Sequence, residues 1–203
     1  MWKRITGYHL FWPLVALAAL LLFNLVYNPG FFAIRIQSGH LYGSLIDILN
    51  YGSPLMLVAI GMTLVIATGG IDLSVGSFVA ISGAIACLTI SRAADQNSLG
   101  VVITAIALAL GLSLLLGLWN GMLVAGAGIQ PIVATLILMV AGRGIAQLIT
   151  SGQIITINSS TYKYIGAGWL LMLPFSVFIV AAVWIVTALI MRRTALGLFM
   201  ESV

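Results

Sequence analysis

The stretch ATGGIDLSVGS, residues 67–77, interrupts a long apolar run with three glycines, two serines and one carboxylate, Asp72. A charge between hydrophobic segments is costly at membrane depth and needs a structural or functional reason. Gly69-Gly70 permits a sharp backbone turn. An Asp just after such a break suits a helix N-cap, because its carboxylate can accept a free N–H two or three residues on. A second reading stands beside it: a helix break facing a water-filled path, one of the few settings where irregular backbone is tolerated inside a bilayer. The stretch predicts helices that stop and restart near 68–77.

The rest of the chain supplies the helices. Of its 203 residues, 62% are hydrophobic and 6% charged. A soluble domain carries about 25% charged residues. So few charges cannot cover a water-facing surface, so the chain reads as an integral membrane protein in contact with the lipid bilayer. The length suits one membrane domain, residues 1–203. Gaps between charged residues run from Arg4 to Arg35, Asp47 to Asp72, Asp72 to Arg92, Asp95 to Arg143, Arg143 to Lys163 and Lys163 to Arg192. A span needs roughly 20 apolar residues, and these gaps hold six. They are placed at about 10–27, 45–67, 72–90, 101–125, 131–150 and 169–191. The fold class is all-α and polytopic, with a second short or broken segment at the Gly/Pro turn 126–131.

The N-terminal 30 residues imitate a signal peptide. Their apolar run is long and ends at Asn28-Pro29-Gly30 rather than at a small-x-small site, so they read as a retained first span. The net charge of +4 comes from Lys and Arg at loop ends and does not point to nucleic acid. Paired Lys3-Arg4 and Arg192-Arg193 against single Arg35, Arg92 and Lys163 place both termini in the cytoplasm. Loops 28–44, 91–100 and 151–168 are then external. Gly76, Ala80 and Ala84 on one helix, and Gly117, Gly121 and Ala125 on the next, form small-residue faces suited to close helix packing.

No catalytic triad, paired carboxylates, metal cluster or P-loop is visible, so the chain does not read as an enzyme. Cys87 lies mid-span and reads as a buried packing thiol; His9 and His40 are isolated. What remains is polar residues at membrane depth, which tend to mark transport paths. Asp72, Ser74 and Ser77 come from the opening stretch. Arg143 lies roughly 12 Å from the nearer end of its span at 1.5 Å per residue. It either reaches to the interface or lines a path with Gln147. Trp119-Asn120 either bonds across to a neighbouring helix or offers an aromatic and an amide to a sugar ring. Thr135 completes the candidate set.

These residues resemble a known family. TGGIDLSVGS (68–77) is similar to the signature of permease subunits of bacterial ribose/galactose-type ABC sugar importers. Asn120-Gly121 and QPIVATL (130–136) resemble its Asn-Gly and Pro-Phe-Ile-x-Thr-Leu segments, and Arg143-Gly144 and TSGQ (150–153) its Arg-Gly and Thr-x-Gly-Gln positions. Within that family the chain resembles permeases of galactofuranose importers. The resemblance implies a bacterial inner-membrane permease that forms the path for a monosaccharide. Its partners would be a separate ATP-binding subunit that uses ATP and magnesium, a periplasmic sugar-binding protein that meets the 151–168 loop, and a second permease subunit, identical or not. The chain itself would bind no cofactor. Residues 192–203 resemble the start of the coupling region, with Leu198 where many members have Arg. The match covers the N-terminal part of such a permease, so a truncated chain is expected. Two other classes compete: an ion-coupled secondary transporter using Asp72, and a structural membrane subunit.

Overall fold

A computed structural model describes residues 11–28, 30–37 and 39–201. Lys3, Arg4, His9 and Pro29 lie outside them. The apolar helices are α1 (Phe11–Tyr27), α2 (Ser44–Ala67), α3 (Val75–Ser91), α4 (Leu99–Gly121), α5 (Pro131–Thr150) and, after a short helix α6 (Ser160–Ala167), α7 (Phe175–Arg193). A last helix, α8 (Ala195–Glu201), follows at Thr194. By length and composition α2, α4, α5 and α7 can cross a membrane, and α1 and α3 are shorter apolar helices of 17 residues. The six expected spans thus correspond to six apolar helices, and the chain is an all-α polytopic membrane protein.

Helix ends follow local chemistry. Gly69 takes φ 72° after α2, and the Gly70 N–H donates to Val65 O at 3.0 Å. This is a Schellman stop, in which a left-handed glycine returns the chain to the last helical carbonyls. The expected start of the third helix at Asp72 is corrected: α3 begins at Val75, and residues 70–74 are non-helical. Pro131 opens α5, where its missing N–H costs nothing. α4 ends in a π-helical turn, Met122–Gly126, before the Gly128 turn at φ 69°.

α3 is the centre of a three-helix unit, packed on α4 along one side and α5 along the other. Ile81 and Ala84 meet Ala146 of α5, while Ala86 and Ile90 meet Ala105 of α4. The small-residue faces are partly corrected. Ala84 is buried, yet Gly76, Gly117, Gly121 and Ala125 are exposed among the described residues. The close approach lies one position on: a Cβ on Gly142 would stand 2.6 Å from Ser77 Cβ. α2 packs on α7, where the Ser176 hydroxyl donates to Asn50 Oδ1 at 2.7 Å.

The three expected external loops gather at one end of the bundle, and they carry structure that was not expected. Residues 28–44 hold a hairpin, β1 (Arg35–Gln37) with β2 (His40–Tyr42); residues 169–174 form a second, β3 (Trp169–Leu170) with β4 (Leu173–Pro174), so the last long helix begins at Phe175 rather than 169. The hairpins join through Leu41 N–H to Met172 O at 3.0 Å and through His40 and Tyr42 on the Trp169 ring. Asn97 links the other two loops. Its Oδ1 accepts from Ser160 N–H at 2.8 Å, and its backbone carbonyl accepts from Thr161 Oγ1 at 2.8 Å. Burial, aided by the Cys87 thiol, pushes the Tyr162 hydroxyl of α6 above its ordinary range, so it stays a neutral phenol.

Candidate functional site

Eight residues carry the sequence-based expectation, and the fold sorts them into three places. Five form one knot at the start of α3. Asp72 Oδ1 accepts the Ser74 N–H at 2.7 Å and the Ser74 hydroxyl at 2.5 Å. The Ser74 hydroxyl in turn accepts from Asn120 Nδ2 at 3.3 Å. Ser77 donates to Ser74 O at 2.7 Å. Thr135 donates to Pro131 O at 2.8 Å and lies 3.4 Å from Ile71 O. Ser74 and Ser77 are fully buried, and Asn120 and Thr135 nearly so.

The direction of this chain is fixed by proton count. A serine hydroxyl has one hydrogen to give. Ser74 gives it to Asp72, so it must accept from Asn120. Asn120 then keeps a buried Oδ1 with no partner among the described residues. The cap reading of Asp72 is refined accordingly: it bonds a free N–H two residues on, but the N-cap position belongs to Ser74. Asn120 lies six residues before the end of the π turn, or roughly 9 Å inside that end of the bundle at 1.5 Å per residue. Irregular backbone at that depth must have its polar groups met by protein, and these side chains meet two of them, the Ser74 N–H and the Ser74 carbonyl.

Arg143 and Gln147 occupy a second place. Both are exposed on α5 and line an open groove of about 400 Å³ between α3 and α5, with Gly83 and Cys87 on the opposite wall and Thr150 towards the loop end. The packing-thiol reading of Cys87 is therefore corrected: the side chain is half-buried and lines the groove. Arg143 is the only charged residue of α5. Its seven residues to Thr150 put it roughly 10 Å below the helix end. Thr150 enters from sequence only as part of the TSGQ segment and not as a path residue; its position one helical turn beyond Gln147 is the signal that marks it.

Trp119 stands alone. It is 60% exposed and faces away from the knot while its neighbour Asn120 points into it. The expected aromatic-plus-amide pair for a sugar ring is thus separated, because adjacent helical residues diverge. Among the described residues no group of three or more His, Cys, Asp or Glu could hold a metal ion.

Comparison with known proteins places the chain in a family. The family described as branched-chain amino acid transport system / permease component matches residues 44–203. The chain is 53% identical over 197 residues to the galactofuranose transporter permease protein YtfT of Escherichia coli, covering 95% of this chain and 56% of that protein. It is 37% identical to the fructose import permease protein FruF of Bifidobacterium longum, covering 99% of this chain and 56% of that one. It is 34% identical to the ribose import permease protein RbsC of Escherichia coli, covering 93% and 56%. The chain thus spans a little over half the length of these curated relatives. No solved structure matches it. With a family match running from the start of α2 through the knot, the groove and the last helix, the chain belongs to the branched-chain amino acid transport system / permease component family.

Proposed function

We propose that the chain is the membrane-spanning permease part of an ATP-driven importer, forming the path for a monosaccharide. The observation that carries this reading is the α3–α5 groove, where Arg143, Gln147 and Thr150 line one wall below the loop end. Amide, hydroxyl and guanidinium groups suit a many-hydroxyl solute, because the amide and hydroxyl can donate and accept hydrogen bonds and the guanidinium fork donates several to hydroxyl oxygens. The relatives supply the substrate class: their names state galactofuranose, fructose and ribose. The 53% identity to the galactofuranose permease favours that sugar.

In this reading the knot at Asp72 positions the groove, since it fixes where α3 begins against α4 and α5. ATP is hydrolysed by a separate subunit, and α8 begins the surface that meets it. A sugar-binding protein docks on the Asn97-linked loop end, residues 91–100 and 151–168, and a second permease subunit completes the path. The protein lies in the bacterial inner membrane with its N-terminus in the cytoplasm. An ion-coupled role for Asp72 finds less support, because its Oδ1 is already held by two donors.

The test uses the full-length protein expressed with a sugar-importer ATPase subunit and a sugar-binding protein. ATP-dependent uptake of labelled galactofuranose above galactopyranose, ribose and fructose is the expected result. Uptake that persists after the ATPase is inactivated overturns the ATP-driven reading. Saturable ATP-dependent transport of a solute other than a sugar overturns the substrate class.

A further inference from the structure

Residues 169–174 read Trp-Leu-Leu-Met-Leu-Pro and form the β3–β4 hairpin. Its two-residue turn is Leu171-Met172, with φ 48° and 71°. A hairpin turn with both central residues at positive φ strongly favours Asn-Gly or Asp-Gly, because any larger side chain strains this backbone. Here both positions carry large apolar side chains. Leu171 is 81% exposed, and Leu170 and Met172 each 40%. A turn in water would gain on both counts from polar or glycine residues. Strain kept at an exposed apolar tip points to something that the tip touches.

The hairpin's level in the fold says what that is. α2 and α7 start from the same end, since β2 there meets the turn between β3 and β4, where the Leu41 N–H donates to Met172 O at 3.0 Å. Ser176 of α7 bonds Asn50 of α2. Asn50 lies six residues into α2, or roughly 9 Å below its first residue. The hairpin immediately before Phe175 therefore lies beside the first turns of α2. There Ile48, Tyr51 and Leu55 already present exposed apolar or aromatic surface, as a lipid-facing helix does. The base of the hairpin is rigid: Trp169 O accepts from the Tyr164 hydroxyl at 2.8 Å, the Trp169 ring packs on His40 and Tyr42, and Phe175 N–H donates to Gly168 O at 2.8 Å. A Trp and two Tyr at this level match the aromatic belt at a membrane–water boundary.

We infer that the Leu171-Met172 turn is a wedge that inserts into the lipid at the headgroup–acyl boundary and fixes the depth of α7. The wedge does not depend on which solute the protein carries. Its occupant is the bilayer: the tip is wholly apolar and adjoins the lipid-facing start of α2.

A spin label at Leu171→Cys, in a Cys87→Ser background of the full-length protein in phosphatidylethanolamine–phosphatidylglycerol vesicles, reads the contact. Collision with oxygen is expected to exceed collision with a water-soluble nickel chelate several-fold. The opposite ratio is expected at Gln153→Cys in the exposed polar loop. A chelate-accessible label at 171 places the tip in water and overturns the inference. Low collision with both reagents means that protein covers the tip and overturns it equally. If the 171 variant does not fold, the same label at Leu170→Cys gives the same reading against the same two outcomes.

Discussion

Asn120 Nδ2 lies 3.3 Å from the Ser74 hydroxyl, tying α4 to the first residues of α3 across 46 positions of sequence. The Ser74 proton is already committed to Asp72, which makes the site sensitive to the type of group at 120 rather than to its polarity. Asn120→Asp sets a carboxylate against an oxygen with no hydrogen to offer, and destabilisation of about 3–5 kcal/mol is expected for an uncompensated buried charge. Asn120→Leu removes one hydrogen bond worth about 1 kcal/mol but also removes the orphaned Oδ1, so the two effects nearly offset. Unfolding midpoints in mixed micelles rank the pair. Equal midpoints for the Asp and Leu variants would show that the donor order is wrong.

Asp72 gives a second ranking. Asp72→Asn keeps an oxygen for both Ser74 donors and loses only the charge assistance, a change of about 1 kcal/mol. Asp72→Ala leaves the buried Ser74 N–H and hydroxyl without their acceptor, at about 1–3 kcal/mol for each group left unsatisfied. The yield of folded protein should therefore fall in the order parent, Asn, Ala. Transport by the Asn variant, corrected for yield, should stay near the parent's. A folded Asp72→Asn protein without uptake would mean that the charge itself takes part in transport.

Gly142 and Ser77 mark a close approach of α3 and α5. A methyl at 142 would stand 2.6 Å from Ser77 Cβ and 2.9 Å from its Oγ. Both elements are backbone-anchored, so the helices must part. Gly142→Ala is expected to destabilise by about 1–3 kcal/mol, the range for overpacking. Ser77→Gly removes the clashing Cβ, at about 0.5 kcal/mol of helix propensity and about 1 kcal/mol for the lost hydroxyl bond to Ser74 O. A double-mutant cycle should then return a favourable coupling of about 1 kcal/mol. Strictly additive losses would mean that the two helices are not in contact there.

Much of this was readable from the sequence, and what was missed has physical causes. Apolar length gave all six apolar helices, and Gly69-Gly70 gave the break, because a glycine stop is local chemistry. The sequence reading starts α3 three residues early because Asp72 and Ser74 are both good capping residues, and the N-cap falls at Ser74, the residue that Asn120 contacts. Ser74, Ser77, Asn120 and Thr135 were picked as path residues by polarity. Polarity does not distinguish a side chain turned to a cavity from one turned to unwound backbone. From sequence the first hairpin and α6 read as loops and the second hairpin as the start of the sixth span: α6 has eight residues and β3–β4 two per strand, too few for periodicity to show. Arg143 and Gln147 line the same groove, since a separation of four places two residues on one helix face.

That pair carries the functional prediction. Arg143 and Gln147 share the groove wall with Thr150, and the groove does not include the knot residues. Arg143 substitutions should therefore change transport with little effect on folding, the reverse of the pattern at Asn120. Arg143→Gln keeps hydrogen-bonding capacity but loses the fork and the charge, and a drop of roughly tenfold in uptake is expected, equivalent to about 1.4 kcal/mol. Arg143→Lys keeps the charge without the planar fork; partial recovery would assign the remaining loss to geometry. Surface amount and micelle melting temperature should match the parent in both variants. Unchanged uptake in Arg143→Gln would remove this side chain from the path and leave it as an interfacial anchor. Labelling of Cys87 on the opposite wall by a small maleimide completes the test: sugar in transporting vesicles should slow it if the groove is the path, and labelling that ignores sugar while uptake proceeds would move the path elsewhere.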